Sequence, residues 1–267
     1  MKNGAGMDDI AQEIGDFEQK LLEAIRFKYR AVEPAVAKSL VEQSVFSRID
    51  IAKFHELYRQ QTQYPSERLS KLVHQLMDIK VQLYLVVEID LGLYNELIYR
   101  RFLVENIDAN PYLGLIRLSI DQSVVVKSRI LWERIMNFVY YLETGEDLET
   151  KKSKKQSKKA EFFEYTRESA ENKWSYLADY EPYVNWFDEK LRTPEVHKGS
   201  TLRGHFVAGE AVNSVGVLSL LNISANVFWQ GLFEIIQGRD VHFKLRLPAL
   251  DALLGGNETT AGTHHAV

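Results

Sequence analysis

Apolar residues at helical spacing recur along most of the sequence, and helix-start signals divide them into segments. Over 8–31, and again from Ser66 to Ile79, apolar side chains return every three or four residues, the period of one helix face. Residues suited to begin a helix precede the segments: Pro34, Asp50, Pro65, Asn110-Pro111 and Pro182. The sequence therefore predicts an all-α protein, a multi-helix bundle that buries one face of each helix.

The segment from Asn110-Pro111 to Gly145 carries the most regular stripe. Its apolar residues share one helix face and are expected to point into the core: Leu131, Ile135, Phe138, Val139 and Leu142. Gly145 suits the C′ position, which often takes a positive φ, so the helix is predicted to end there. Upstream, the composition of 79–104 also allows a strand, but its polar residues recur at helical spacing and favour a helix.

Composition and charge restrict the class of protein. The chain has 267 residues and a net charge of −4, which argues against a general duplex-binding protein with a basic face. It has no cysteine, which removes disulfides, thiolate zinc sites and cysteine nucleophiles. No apolar signal segment is present, and the longest apolar stretches are shorter than the roughly 20 residues that span a bilayer. We therefore expect a cytoplasmic protein that does not enter a membrane.

Three regions are predicted along the chain. Residues 1–109 form an N-terminal helical region and residues 110–247 a helical bundle. Residues 248–267, rich in glycine, threonine and small polar residues, form a flexible tail.

A lysine-rich loop is predicted at 150–160, because blocks of like charge repel one another and tend to be disordered. If the loop lies beside a site, Lys154 and Lys155 would attract phosphate groups, and their effect would fall with salt. The alternative is a solubilising linker.

The stretch 186–206 holds the densest mixture of imidazole, guanidinium, carboxylate and hydroxyl groups. Thr193-Pro194 predicts a helix start, since threonine is a good N-cap and proline is tolerated at the first helical position. In that register Arg192 and His197 would be neighbours beside the positive end of the helix, where phosphate is favoured. The alternative is an exposed helix cap whose arginine and histidine are solvated.

Strongly signalled catalytic motifs are absent: the sequence has no phosphate-binding glycine loop, no His-Glu-x-x-His, no Gly-x-Ser-x-Gly and no calcium loop. An Arg-x4-His motif remains, Arg192-Thr193-Pro194-Glu195-Val196-His197. With this motif, and with the helix 128–145 followed by a lysine-rich loop and an aromatic helix, the chain resembles the HEPN superfamily. These helical-bundle proteins are often ribonucleases of toxin and antiviral systems, and the resemblance covers roughly 110–240.

The resemblance implies an HEPN-like bundle that cleaves RNA without a metal or another cofactor. His197 would assist attack of the ribose 2′-OH on the neighbouring phosphate, and Arg192 would stabilise the developing charge. Facing motifs of two protomers would share one cleft, so a homodimer is implied, with an antitoxin or another defence-system protein as a further partner. Auxiliary phosphate contacts would come from Lys198, Arg203 and His205.

A second match to the motif, Arg68-x5-His74, lies inside an apolar-striped segment. Its position favours a surface pair or a histidine at the edge of the core. The first function that follows from the sequence is an endoribonuclease acting as a toxin or antiviral effector. The alternatives are a non-catalytic helical interaction and regulatory protein of a defence system, and a sensor of a small molecule or nucleotide.

Overall fold

The computed structural model describes residues 7–31, 33–36, 38, 50–90, 92, 111–148, 157–168, 173–194 and 234. Every regular element of these residues is helical, which confirms the predicted all-α class. The α-helices are α1 (Met7–Lys28), α2 (Ile51–Arg59), α3 (Ser66–Tyr84), α4 (Pro111–Thr144), α5 (Lys158–Glu168) and α6 (Glu181–Phe187). A 3-10 helix covers Ser175–Tyr180, and π-helical turns extend α3 over Leu85–Asp90 and α6 over Asp188–Arg192.

The helix starts follow the sequence signals. Asp50 caps α2, because its carboxylate accepts a hydrogen bond of 2.8 Å from the backbone N–H of Lys53. α3 begins directly after Pro65, and α4 begins at Pro111. α6 carries proline in its first turn. The helix favoured for 79–104 is present as far as Asp90, and residues 93–104 lie outside the described residues.

The predicted lysine-rich loop ends earlier than 160. The hydroxyl of Ser157 accepts a 3.2 Å hydrogen bond from the backbone N–H of Ala160, and α5 begins at Lys158. Lys158 and Lys159 are therefore helical. The rest of that segment, including Lys154 and Lys155, is outside the described residues.

The chain divides into two compact units that are interleaved rather than consecutive. The first draws on Met1–Leu85, Leu131–Phe162 and Trp229–Asp240, and the second on Val86–Ile130, Phe163–Phe228 and Val241–Val267. Helix α4 therefore gives its later residues to the first unit and its earlier residues to the second.

The core of the first unit is built from the predicted stripes. In α3 the stripe is fully buried, and in α4 all five predicted core residues are buried. α2 packs on both α1 and α3, and the ring of its Phe54 meets the ring of Phe138 with the centroids 5.8 Å apart. The stripes thus identify the faces that pack together.

Gly145 ends α4 in the predicted manner. Its φ is +77°, and its N–H donates a 2.9 Å hydrogen bond to the carbonyl of Tyr141. The guanidinium of Arg68 covers the same helix end and donates to the carbonyls of Tyr141 (3.2 Å) and Leu142 (2.8 Å). A Cβ on Gly145 would lie 3.1 Å from Cζ of Arg68.

Replacing Gly145 by alanine is expected to lower the free energy of unfolding by about 1–3 kcal/mol, because a non-glycine residue is strained at this φ. The new methyl group would also displace Arg68 from the helix end. Urea denaturation would measure the loss. Gly15→Ala is the matched control: nothing lies within 4 Å of a Cβ there, so it is expected to stabilise α1 by about 0.5–1 kcal/mol. Equal effects of the two substitutions would contradict this interpretation.

The stability of the chain is expected to depend on the protonation of His55. Burial, and secondarily the charge of Arg59, lowers the pKa of this imidazole below its ordinary value of 6.5. Below pH 6.5 the unfolded chain therefore binds a proton at this imidazole more readily than the folded chain does. The free energy of unfolding decreases as the pH is lowered, by at most about 1.4 kcal/mol per pH unit. Denaturation from pH 8 to pH 5 would measure the slope. His55→Gln should have a shallower slope, and an unchanged slope would show that another group is responsible.

No helix of the described residues combines the length and the apolar character needed to cross a membrane.

Candidate functional site

Among the predicted site residues, the structure describes Arg192. His197, Lys198, Arg203, His205, Lys154 and Lys155 lie outside the described residues. Arg192 lies on the helical segment that follows α6.

The helix start predicted at Thr193-Pro194 is wrong. Thr193 has φ −66° and ψ −45°, and its N–H donates to the carbonyl of Asp188, five residues earlier. Helical backbone therefore runs without a break from Glu181 to Pro194. In an α-helix a proline ring clashes with the carbonyl four residues before it, and we attribute the continuation to the wider turn that precedes Pro194. Arg192 is thus a helical residue rather than the residue before a cap.

An apolar cluster holds this helix against α4 in the second unit. Phe187 and Leu191 are buried together with Ile120, Val124 and Val125 of α4. Trp186 packs against the cluster and stays partly buried. Burial of two large side chains, each contributing roughly 1.5–3 kcal/mol, fixes the backbone on both sides of Asp188.

An ion pair joins the same two helices. Nε of Arg129 in α4 lies 3.1 Å from Oδ1 of Asp188, and the two side chains are only 20% and 15% exposed. These two atoms do not form a hydrogen bond with each other, so the contact is mainly electrostatic. Nη1 of Arg129 is buried and has no hydrogen-bond partner among the described residues. Because a desolvated guanidinium is costly when unpaired, the carboxylate of Asp188 matters to this helix contact.

The other π-helical turn is tied to α4 in a similar way. Asp90, at the end of Leu85–Asp90, is buried and accepts hydrogen bonds from Nζ of Lys127 at 2.9 and 3.0 Å. The hydroxyl of Ser123 donates to the same carboxylate at 3.1 Å. Each π-helical turn in this part of the chain thus has an aspartate bound to a cation of α4.

Arg192 differs from the other partly buried arginines. Its side chain is partly buried, and no ion pair or hydrogen bond connects it to another described residue. Arg68 binds backbone carbonyls and Arg129 binds a carboxylate. A partly desolvated guanidinium offers planar, multiple donors, which suit a phosphate group.

The second match to the motif has a structural role. His74 is exposed, and its Nε2 lies 3.0 Å from Oε1 of Glu13 rather than beside Arg68. The guanidinium of Arg68 covers the end of α4. Its position in the sequence did not indicate this role. The two residues line a groove of about 1110 Å³ in the first unit, where Lys71 is paired with Asp147 at 2.7 Å. Arg68 and Lys71 therefore already have partners within the protein.

Within the described ranges, no cluster of three or more His, Asp or Glu side chains could hold a metal ion. Comparison of the chain with protein-family models, with curated proteins and with solved structures gives no match.

Proposed function

We propose that the chain is a metal-independent endoribonuclease of the HEPN type, with Arg192 and His197 as its catalytic residues. The observation that supports this is the guanidinium of Arg192, partly buried on a packed helix and without an ion pair to any other described residue. A side chain of this kind costs stability unless an anion binds it. The anion proposed is the scissile phosphate of RNA.

In the proposed reaction the imidazole of His197 removes the proton of a ribose 2′-OH, and the 2′-oxygen attacks the adjacent phosphorus. The bond from phosphorus to the 5′-oxygen of the next nucleotide then breaks, and that oxygen takes up a proton. The products are a 2′,3′-cyclic phosphate and a 5′-hydroxyl end. Arg192 stabilises the extra negative charge of the five-coordinate phosphorus, and an imidazole is suited to the proton transfers near neutral pH.

A cellular location and binding partners are proposed as well. The chain acts in the cytoplasm on RNA, as a toxin or an antiviral effector. A homodimer lets two histidines serve as base and acid, and an antitoxin or another defence-system protein controls the activity. Lys198, Arg203, His205, Lys154 and Lys155 are proposed as additional phosphate contacts.

Induced expression in bacteria tests the proposal. Wild type, Arg192→Ala and His197→Ala would be compared for growth and for the integrity of total RNA, with new RNA ends mapped. Growth arrest with 5′-hydroxyl ends in the wild type alone is the expected result. RNA fragments that also arise in both variants would overturn the proposed site.

A non-catalytic helical interaction protein of a defence system is the second candidate. Three exposed apolar residues of α4 favour it: Leu115, Val126 and Ile130, with exposures of 52%, 43% and 38%. Their spacing of 11 and 4 residues places them on one helix face. If the chain is such an interaction protein, Val126→Asp is expected to abolish its biological activity, while His197→Gln is expected to leave that activity unchanged.

A further inference from the structure

We propose that Arg129 and Asp188 are positioning residues for Arg192, an inference that rests on the proposed function. Asp188 begins the π-helical turn that Arg192 ends. Residues four apart along a helix lie on the same side of it. Asp188 is held by Arg129 at 3.1 Å, so the ion pair is placed on the side of the helix from which Arg192 projects.

The apolar cluster alone leaves the rotation of this helix poorly defined. Leu191 and Phe187 bury their side chains against α4, but apolar contact has little directional preference. The ion pair of Arg129 and Asp188 is a second attachment point, at a different position around the helix from the apolar cluster, and separating its two mostly buried charges is costly. The cluster therefore sets the distance between the helices, and the ion pair sets the direction in which Arg192 points.

The burial of the pair makes this constraint strong. Both side chains are mostly buried, and Nη1 of Arg129 has no hydrogen-bond partner among the described residues. If Asp188 lost its charge, Arg129 would be a desolvated cation without its carboxylate. The helix would then shift towards solvent, and Arg192 would shift with it.

Asp90 and Lys127 provide a matched comparison. They also form a carboxylate–cation pair between a π-helical turn and α4, at 2.9 Å, with the aspartate buried. This pair belongs to the turn Leu85–Asp90 and not to the segment that carries Arg192. Breaking it should reduce stability without changing the orientation of Arg192.

The test compares Asp188→Asn, Asp90→Asn and the exchanged pair Arg129→Asp with Asp188→Arg. Cleavage of a single-stranded RNA oligonucleotide would give kcat and KM, and hydrogen exchange would be followed over 188–194, 85–90 and, as a sign of folding, 66–84. Asp188→Asn should lower kcat roughly 10- to 100-fold with KM little changed, because misplacing a positioned group acts on the chemical step. Exchange should accelerate only over 188–194, and the exchanged pair should recover most of the lost kcat.

Asp90→Asn should accelerate exchange over 85–90 and leave kcat at the wild-type value. Equal losses of kcat in the two asparagine variants would show a general loss of stability and overturn the positioning role. Unchanged exchange over 188–194 in Asp188→Asn would overturn it too, whether or not RNA is cleaved. A wild-type protein that cleaves no RNA would overturn the proposed function and this role together, whereas an active wild type with full kcat in Asp188→Asn would overturn this role alone.

Discussion

If the chain is the proposed ribonuclease, Arg192→Ala is expected to reduce the rate of RNA cleavage by about 100- to 1,000-fold, the usual effect of losing one donor to a developing negative charge. His197→Ala is expected to reduce it by roughly 100- to 10,000-fold, the usual contribution of acid–base catalysis. The first expectation follows from the guanidinium of Arg192, which is partly buried and pairs with no other described residue. Single-turnover kinetics on purified protein with an RNA oligonucleotide would measure both rates.

Two substitutions sharpen this measurement. Arg26→Ala removes the same charge from an exposed position near the end of α1 and should leave the rate unchanged. Arg192→Lys keeps the charge but loses the planar donors, and should retain only part of the activity. A decrease with Arg26→Ala equal to that with Arg192→Ala would mean that net charge, rather than a specific phosphate contact, controls cleavage.

Phe138→Ala is expected to lower the free energy of unfolding by about 3–5 kcal/mol, the usual cost of truncating a buried aromatic residue. The Phe138 side chain is completely buried and meets the ring of Phe54. Its loss leaves a cavity between α2 and α4, where the neighbouring side chains can relax only in part. Urea denaturation, followed by far-UV circular dichroism, would measure the loss.

Leu57→Ala is the control for this prediction. Leu57 also belongs to α2, but its side chain is 38% exposed, so its truncation should change the free energy of unfolding by less than about 0.5 kcal/mol. A small loss with Phe138→Ala would mean that the first unit does not form the packed core described here.

The parts of the fold that depend on local chemistry could be predicted from the sequence. Asp50 precedes an apolar-periodic segment and caps it, and Gly145 follows the last apolar position of α4 and takes the positive φ that glycine tolerates. The apolar stripe of α4 correctly predicted which face of this helix is buried. The two caps are decided by residues within about one helical turn, and the stripe by residues of a single helix.

Features that depend on distant residues could not be predicted. Nothing near Arg68 indicates that its guanidinium covers the end of a helix more than 70 residues later. Thr193-Pro194 carries the local signal of a helix start, but the π-helical turn that precedes it lets the helix continue across it. The interleaving of the two units is also invisible in a pattern read segment by segment. Of the candidate site, the sequence indicated Arg192 but not the ion pair of Arg129 and Asp188 on the same helical segment.

The π-helical turn at Asp188–Arg192 determines how this helix responds to the loss of one residue. A turn of this kind carries one residue more than the α-helical turn that it replaces. Loss of a single residue there would restore regular α-helical bonding, and because the wider turn already takes up the extra residue, the helix on either side would keep its direction around the axis. A one-residue deletion outside this turn, in the regular part of α6, would instead rotate the segment that carries Arg192 by about 100°.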